Sequence, residues 1–252
     1  MTENEKNNIF GLLGRNISYS FSRGYFTEKF QKLQLKNHSY LNFDIQSCND
    51  FPLIIASEND LKGINVTIPY KQEIIPFLDE LDETAKQIGA VNTIKISKNK
   101  SLKGYNSDVV GFEKSIKPLI KTHHQKALIL GTGGASKAVA FVFKKNNISY
   151  QFVSRNPSSI QEISYKNLTQ EIIQSHTIIV NCSPLGTSPN IEKYPDIPYQ
   201  FLNEHHLLYD LIYNPEETVF LSKGKKHGAT IKNGLEMLQL QAEESWRIWN
   251  DL

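Results

Sequence analysis

The sequence is short of everything that would staple or anchor it. Two cysteines in 252 residues, Cys48 and Cys182, give no disulfide framework, so they read as ordinary thiols and a reducing compartment fits. No apolar run approaches the roughly 20 residues needed to cross a bilayer, and the N-terminal MTENEKNN lacks the apolar core of a signal peptide. A cytoplasmic protein with no membrane partner is therefore expected. Neither sign of charge dominates, with 28 Lys and Arg against 26 Asp and Glu, and so slight an excess gives no footing for nucleic acid. The seven histidines, at 38, 123, 124, 176, 205, 206 and 227, show no HExxH or other ligand spacing and have no CxxC beside them, so no metal is expected. Internal repeats and low-complexity segments are also missing.

What is present is an alternation of short apolar strands with segments of helical period, which predicts βα units and mostly parallel sheets. In the first hundred residues IFGLLG (9–14), YLNFDIQ (40–46), INVTIP (64–69) and VNTIKIS (91–97) read as strands. SRGYFTEKFQKLQ, FPLIIASEN and QEIIPFLDELDETAKQIG read as helical segments, and KNKSLKGYNSD as a hairpin turn with a short strand. From residue 108 the rhythm becomes regular: helix GFEKSIKPLI, strand KALILG (126–131), helix ASKAVAFVFKKNN, strand SYQFVSR (149–155), then TIIVNCS (177–183), LLYDLIY (207–213), helix EETVFLSKGKKHG and ATIKNG. The last segment is an amphipathic helix with Leu235, Leu238, Ala242, Trp246 and Trp249 on one face. The length suffices for two cores. The expected fold class is α/β with two domains, 1–107 and 108–234, followed by a helix over 235–252, and a cleft between the domains would suit a small-molecule site.

GTGGAS follows an apolar strand and precedes a helix, the context that a dinucleotide fingerprint requires. Gly131 permits the tight turn, Gly133 removes a Cβ from the path of a pyrophosphate, and Thr132, Gly134, Ala135 and Ser136 complete a turn whose N–H groups and helix dipole suit an anion. Ser136 stands where Gly or Ala is usual, a mild departure. An NAD site places an acid about 20 residues beyond the glycines to hold the ribose 2′-OH. Here the next strand ends in Ser154, Arg155 and Asn156 with no acid before Glu162. An acid would repel a 2′-phosphate and Arg155 would bind one, so the cofactor expected is NADP (NADPH).

In NVTIPYK, Asn65 and Thr67 share one strand face, Pro69 stops the strand and Lys71 follows. Asp108 closes GYNSD just before a helix and, taken alone, reads as an N-cap. Together with GLLGRNISYSFS, GAVNT, LGTGGAS, YDLIYNP and NGLEMLQLQA, these stretches, in this order over nearly the whole chain, resemble the motif series of the shikimate dehydrogenase family. The resemblance implies a substrate-binding domain over 1–107, an NADP-binding Rossmann-like domain over 108–234 and a C-terminal helix returning to the first domain. It implies NADPH-dependent reduction of 3-dehydroshikimate to shikimate. Carried over by motif, Ser20 and Ser22 grip the substrate carboxylate. Asn65, Thr67, Lys71, Asn92, Asp108, Tyr213 and Gln241 contact the rest of the substrate, with Lys71 and Asp108 as a coupled acid/base pair. On the cofactor side the resemblance adds Ser183, Leu211 and Gly234 near the nicotinamide.

The departures lie in the first motif, where Asn16, Tyr19 and Arg23 replace the common Pro, His and Pro, leaving the turn without two φ-fixing residues. Arg23 reads as a surface arginine. Two other readings stay open: a quinate/shikimate dehydrogenase of relaxed substrate or cofactor choice, and a non-catalytic regulator that binds ligand and nucleotide. Retention of both Lys71 and Asp108 argues against the second. Monomer and homodimer are both compatible with the sequence.

Overall fold

The computed structural model describes residues 7–18 and 20–252; Tyr19 of the first motif lies outside them. The chain divides into two units, one built from the described residues up to Ser107 with Ala242–Leu252, the other from Asp108–Gln241.

The first unit contains β1 (Asn8–Gly14), α1 (Phe21–Lys32), β2 (His38–Asp44), α2 (Phe51–Ser57), β3 (Leu61–Val66), β4 (Glu80–Leu81), α3 (Glu83–Ile88), β5 (Thr93–Ile96) and β6 (Leu102–Tyr105). The sheet order is β2-β1-β3-β5-β6-β4. β1 runs parallel to β2 and β3, whereas β5 is antiparallel to β3 and β6, as a hairpin over residues 97–101 requires. Strand β3 buries Ile64 and Val66 in a core with Leu13, Phe51, Ile74 and Ile94.

The helical expectation for QEIIPFLDELDETAKQIG is corrected. Pro76 falls inside a single 3-10 turn, Ile75–Phe77, because its ring cannot extend an α-helix beyond the first turn. Glu80–Leu81 then pairs with β6, and a true helix begins only where Asp82 caps the N–H groups of Ala85 and Thr84. It ends at Gly89, whose φ of 67° suits a residue without a Cβ.

The second unit holds α4 (Asp108–Ile116), β7 (Lys126–Leu130), α5 (Gly134–Lys145), β8 (Ser149–Ser154), β9 (Glu162–Ser164), α6 (Gln170–Ser175), β10 (Ile178–Asn181), β11 (Leu207–Asp210), α7 (Val219–Lys226), β12 (Thr230–Lys232) and the first half of α8 (Leu235–Trp249), up to Gln241. Its six strands are all parallel in the order β12-β11-β10-β7-β8-β9. The first strand of the unit, β7, is central, and the order reverses between β7 and β10, the place where doubly wound sheets leave a crevice at their carboxyl ends. Residues of β10 and β11 are wholly buried, which is why they read as continuous apolar runs rather than as alternating strands.

Helix α8 carries the chain out of the second unit, and its final turns complete the core of the first. Trp249 lies 4.8 Å from Phe10 and 5.3 Å from Phe26, ring to ring. Its indole N–H donates to the Ile94 carbonyl at 3.0 Å. The ring lies flat on β3: a Cβ at Gly63 would fall 2.2 Å from the indole nitrogen. Lys29 pairs with Glu243 at 2.6 Å on the rim of the same cluster. Trp249→Ala should cost about 3–5 kcal/mol, the usual range for emptying a buried aromatic site, read as a lower urea midpoint by Trp246 fluorescence; an unchanged midpoint would contradict this packing.

Candidate active site

The turn after β1 lacks two prolines but is held by other means. The Asp44 carboxylate accepts the N–H groups of Asn16 and Ile17 at 2.9 and 3.1 Å, and the Asn42 amide donates to the Ile17 carbonyl at 3.1 Å. Asn16 itself has a φ of 56°, a left-handed conformation that Asn tolerates better than most side chains. Arg15 reaches over the Tyr70 ring and donates to the Gln46 carbonyl at 2.9 Å. Fixed hydrogen bonds thus replace fixed φ angles in presenting Ser20, which caps α1, its hydroxyl accepting the Ser22 N–H at 3.2 Å.

Behind this turn lies a buried polar web. Asn65 on β3 and Thr93 on β5 are directly opposed in the antiparallel ladder. The Asn65 amide donates to Ser245 Oγ at 2.8 Å and faces Thr93 Oγ1 at 3.2 Å and the Asn92 carbonyl at 3.3 Å, while its oxygen accepts the Tyr40 hydroxyl at 2.8 Å. Tyr40 also bonds Ser22, and burial pushes its ionisation up, so it stays a neutral donor. The hydroxyls of Thr93, Ser107 and Ser245 lie 2.8 to 3.1 Å apart in a triangle. Asn92 accepts the Ser107 N–H at 2.6 Å. Through these bonds Ser22, Asn65 and Asn92, drawn from three distant motifs, become one object.

Lys71 is joined to it by the backbone. Its carbonyl accepts the Val91 N–H at 2.7 Å, and the Asn92 carbonyl accepts that of Val66 at 2.9 Å. Thr67 continues the line of β3, bonded to the Leu13 carbonyl at 2.9 Å. Asp108 is buried at the start of α4 and follows Ser107 directly in the chain.

In the second unit the glycine turn stands at the carboxyl end of β7, at the switch point. Gly131 has a φ of 111°, accessible to glycine at little cost, and packs against the backbone of Cys182 and Ser183. Around Gly133 the space where a Cβ would project is open for 4 Å, which fits close approach by a pyrophosphate. Thr132 and Gly133 are exposed, Gly134 and Ala135 half-buried. The Ser136 hydroxyl turns inward to the Gly133 carbonyl at 2.6 Å, leaving its main-chain N–H for an anion at the start of α5.

At the end of β8, Ser154 Oγ accepts the Asn156 N–H at 3.2 Å, shaping the turn that exposes Arg155. The next acid, Glu162, is engaged by Ser158 and Ser159 of its own loop. Leu211 and Gly234 meet backbone to backbone: a Cβ on Gly234 would fall 2.1 Å from the Leu211 carbonyl oxygen. Tyr213 is half-buried just beyond, and the Gln241 amide donates to the Leu238 carbonyl of its own helix at 2.9 Å.

The sequence reading missed Tyr40, Thr93, Ser107 and Ser245. Only Ser107 and Thr93 stood inside quoted motifs, GYNSD and GAVNT, and nothing in those strings distinguishes a hydroxyl that bonds inward. Tyr40 and Ser245 carried no signal, since a strand tyrosine and a helix serine acquire partners only through sheet register and helix docking.

A six-stranded parallel sheet with a glycine turn at its switch point defines a dinucleotide-binding α/β protein. The family model for the shikimate dehydrogenase substrate binding domain matches residues 12–94. A shikimate dehydrogenase (NADP(+)) of Methanococcus vannielii is 36% identical over 260 residues, spanning 96% of this chain and 90% of its own length. The crystal structure of shikimate dehydrogenase 1 from Peptoclostridium difficile superposes with a TM-score of 0.83 at 38% identity, covering 97% of this chain and 92% of that one. The enzyme from Thermus thermophilus, solved in complex with NADP(H) and shikimate, gives 0.85 at 27% identity, with 97% and 94% coverage. The chain belongs to the shikimate dehydrogenase family.

Tyr40→Phe removes the donor to Asn65 and leaves a buried amide oxygen unpaired. The expected loss is about 1–3 kcal/mol of stability, measured by urea unfolding, and a neutral result would mean that water or another donor already serves Asn65.

Proposed function

We propose that this chain interconverts 3-dehydroshikimate and shikimate with NADPH and NADP+, a step of chorismate and aromatic amino-acid biosynthesis. One observation carries the reading beyond the family: β8 ends in an exposed Arg155, and the next acid in the chain, Glu162, is engaged by Ser158 and Ser159, while the glycine turn after β7 leaves room for a pyrophosphate. That combination fits a 2′-phosphate and disfavours a bare ribose. The Methanococcus relative is named for NADP(+), and the Thermus structure holds both reactants.

When bound, NADPH supplies the hydride that adds to the substrate ketone. The chain's own residues do the rest. The N–H groups of the turn beyond Gly131, whose own N–H donates to the Val153 carbonyl at 2.9 Å, and the α5 dipole would hold the pyrophosphate; Arg155, with Ser154 and Asn156, would hold the 2′-phosphate; Ser183, Leu211 and Gly234 would line the nicotinamide. Ser20 and Ser22 donate to the substrate carboxylate. Asn65, Thr67, Asn92, Tyr213 and Gln241 bond its ring hydroxyls. As carbonyl electrons move onto oxygen, the Lys71 ammonium stabilises the charge and delivers a proton, forming the new O–H bond. Asp108 accepts a substrate hydroxyl and is coupled to Lys71, so the proton belongs to the pair rather than to either member. In the oxidative direction Lys71 accepts the same proton.

A turnover assay with shikimate and NADP+ is the decisive test, and absence of activity would defeat the proposal. Lys71→Ala should lower kcat by about 10²–10⁴ while KM for shikimate moves far less, as expected of a group acting in the transition state. A normal kcat would remove Lys71 from the chemistry. Arg155→Ala should weaken NADPH by about tenfold or more through loss of charge-assisted bonds, with NADH little affected; equal effects on both cofactors would refute the 2′-phosphate assignment.

A further inference from the structure

Asp210 ends strand β11 with no exposed surface. Three neutral donors hold its carboxylate. Oδ2 accepts the Thr218 hydroxyl at 2.6 Å; Oδ1 accepts the Ile212 N–H at 3.0 Å and the Asn181 amide at 3.1 Å. Burial of an unpaired charge is costly, and its acid strength shows the cost: burial raises the pKa to about 6, against the opposing pull of Thr218, Ile212 and Asn181. A carboxyl with a folded pKa above its unfolded value makes the native state less stable as pH rises through that interval. Ionised Asp210 is therefore a burden on the fold near neutral pH, and packing alone does not account for it.

Its bonds lead to the cofactor half of the site. An ionised carboxylate accepts only, so the Asn181 amide turns its nitrogen toward Asp210, where it also donates to the Leu185 carbonyl at 3.3 Å, and its oxygen outward. That oxygen accepts the Ser183 N–H at 3.0 Å and the Ser183 hydroxyl at 2.7 Å. On the other side Ile212, fixed by Oδ1, accepts the Gly234 N–H at 3.0 Å, and Gly234 seats the Leu211 backbone. Thr218 caps α7 and accepts the Leu221 N–H at 3.3 Å. Ser183, Leu211 and Gly234 are each one or two bonds from a single carboxylate, and Tyr213 is the residue after Ile212.

We propose that Asp210 is a positioning residue of the reaction: its carboxylate locks the turns after β10 and β11 into one arrangement, acting through Ser183, Leu211, Gly234 and Tyr213. The proposal rests on the roles given to those residues under Proposed function. Protonation would fall on Oδ2, because Oδ1 already takes two N–H groups. It would reverse the bond to Thr218 and remove the charge that strengthens the bond from Asn181, whose amide stays oriented by Oδ1, the Leu185 carbonyl and the Ser183 N–H. The other titratable groups whose charge would act on Asp210 are Cys182 and Tyr199, both held neutral by burial, so Asp210 itself is the group that changes charge.

Asp210→Asn mimics the protonated carboxyl at every pH, and Thr218→Val removes the donor to Oδ2. Both are made in the full chain. Expected for each are amide hydrogen exchange at Ser183, Leu185 and residues 211–213 faster by about tenfold without ligand, and kcat for shikimate oxidation lower by about tenfold or more. Affinity for adenosine 2′,5′-bisphosphate, which probes only the Arg155 side, should stay within about twofold. Asp210→Asn should also melt no lower than the unmodified chain at pH 7.5, an outcome that a merely structural role would not give. Unchanged exchange and kcat would overturn the proposal, as would parallel loss of bisphosphate affinity and melting temperature. If the unmodified chain shows no turnover, the proposed reaction fails, and the exchange measurement alone decides Asp210.

Discussion

A polar side chain taken out of water has to find its partners inside the protein, and each unit is arranged around one such side chain. In the first it is Asn65, 5% exposed, whose amide and oxygen are met by groups from β2, β5 and the last helix. In the second it is Asp210, met by β10, its own following turn and the cap of α7. An unpaired group at either place would forfeit most of what a buried hydrogen bond contributes. The elements that supply partners are therefore fixed relative to one another to within hydrogen-bond tolerance, and the candidate site residues are attached to those elements.

The two hubs differ in kind. Asn65 is neutral and can both donate and accept, so it joins hydroxyls that are themselves able to rotate. Asp210 is an acceptor only, and it imposes a direction on every group around it. The second hub holds the turns after β10 and β11 in one arrangement.

Much of the fold was legible before any coordinates. The second unit's strands are short apolar runs bounded by turn residues, and the glycine turn declared both the strand before it and the helix after it. The segment 72–89 was not legible, because its apolar spacing imitates a helix while Pro76 forbids one. Strand β9 and helix α6 are too short, three and six residues, for periodicity to register. Lys71 and Asp108, each ambiguous alone, became candidates only where motifs in series identified the family, whereas Arg155 was a candidate from its place after the glycine turn. The sequence was silent at Tyr40 and Ser245.

By itself the sequence determined the secondary elements with strong periods, the glycine turn between strand and helix, the absence of an acid between Arg155 and Glu162 and the family. These are local properties: a pattern of side chains along a strand or helix, or a backbone turn that only glycine makes easily. The tertiary structure alone decided which polar groups face one another. Cross-strand register set Asn65 against Thr93, the docking of the last helix brought Ser245 to both, and the order of parallel strands put Asp210 beside Asn181. Such pairings depend on contacts between residues far apart in the chain, and a linear pattern holds no record of distance in space.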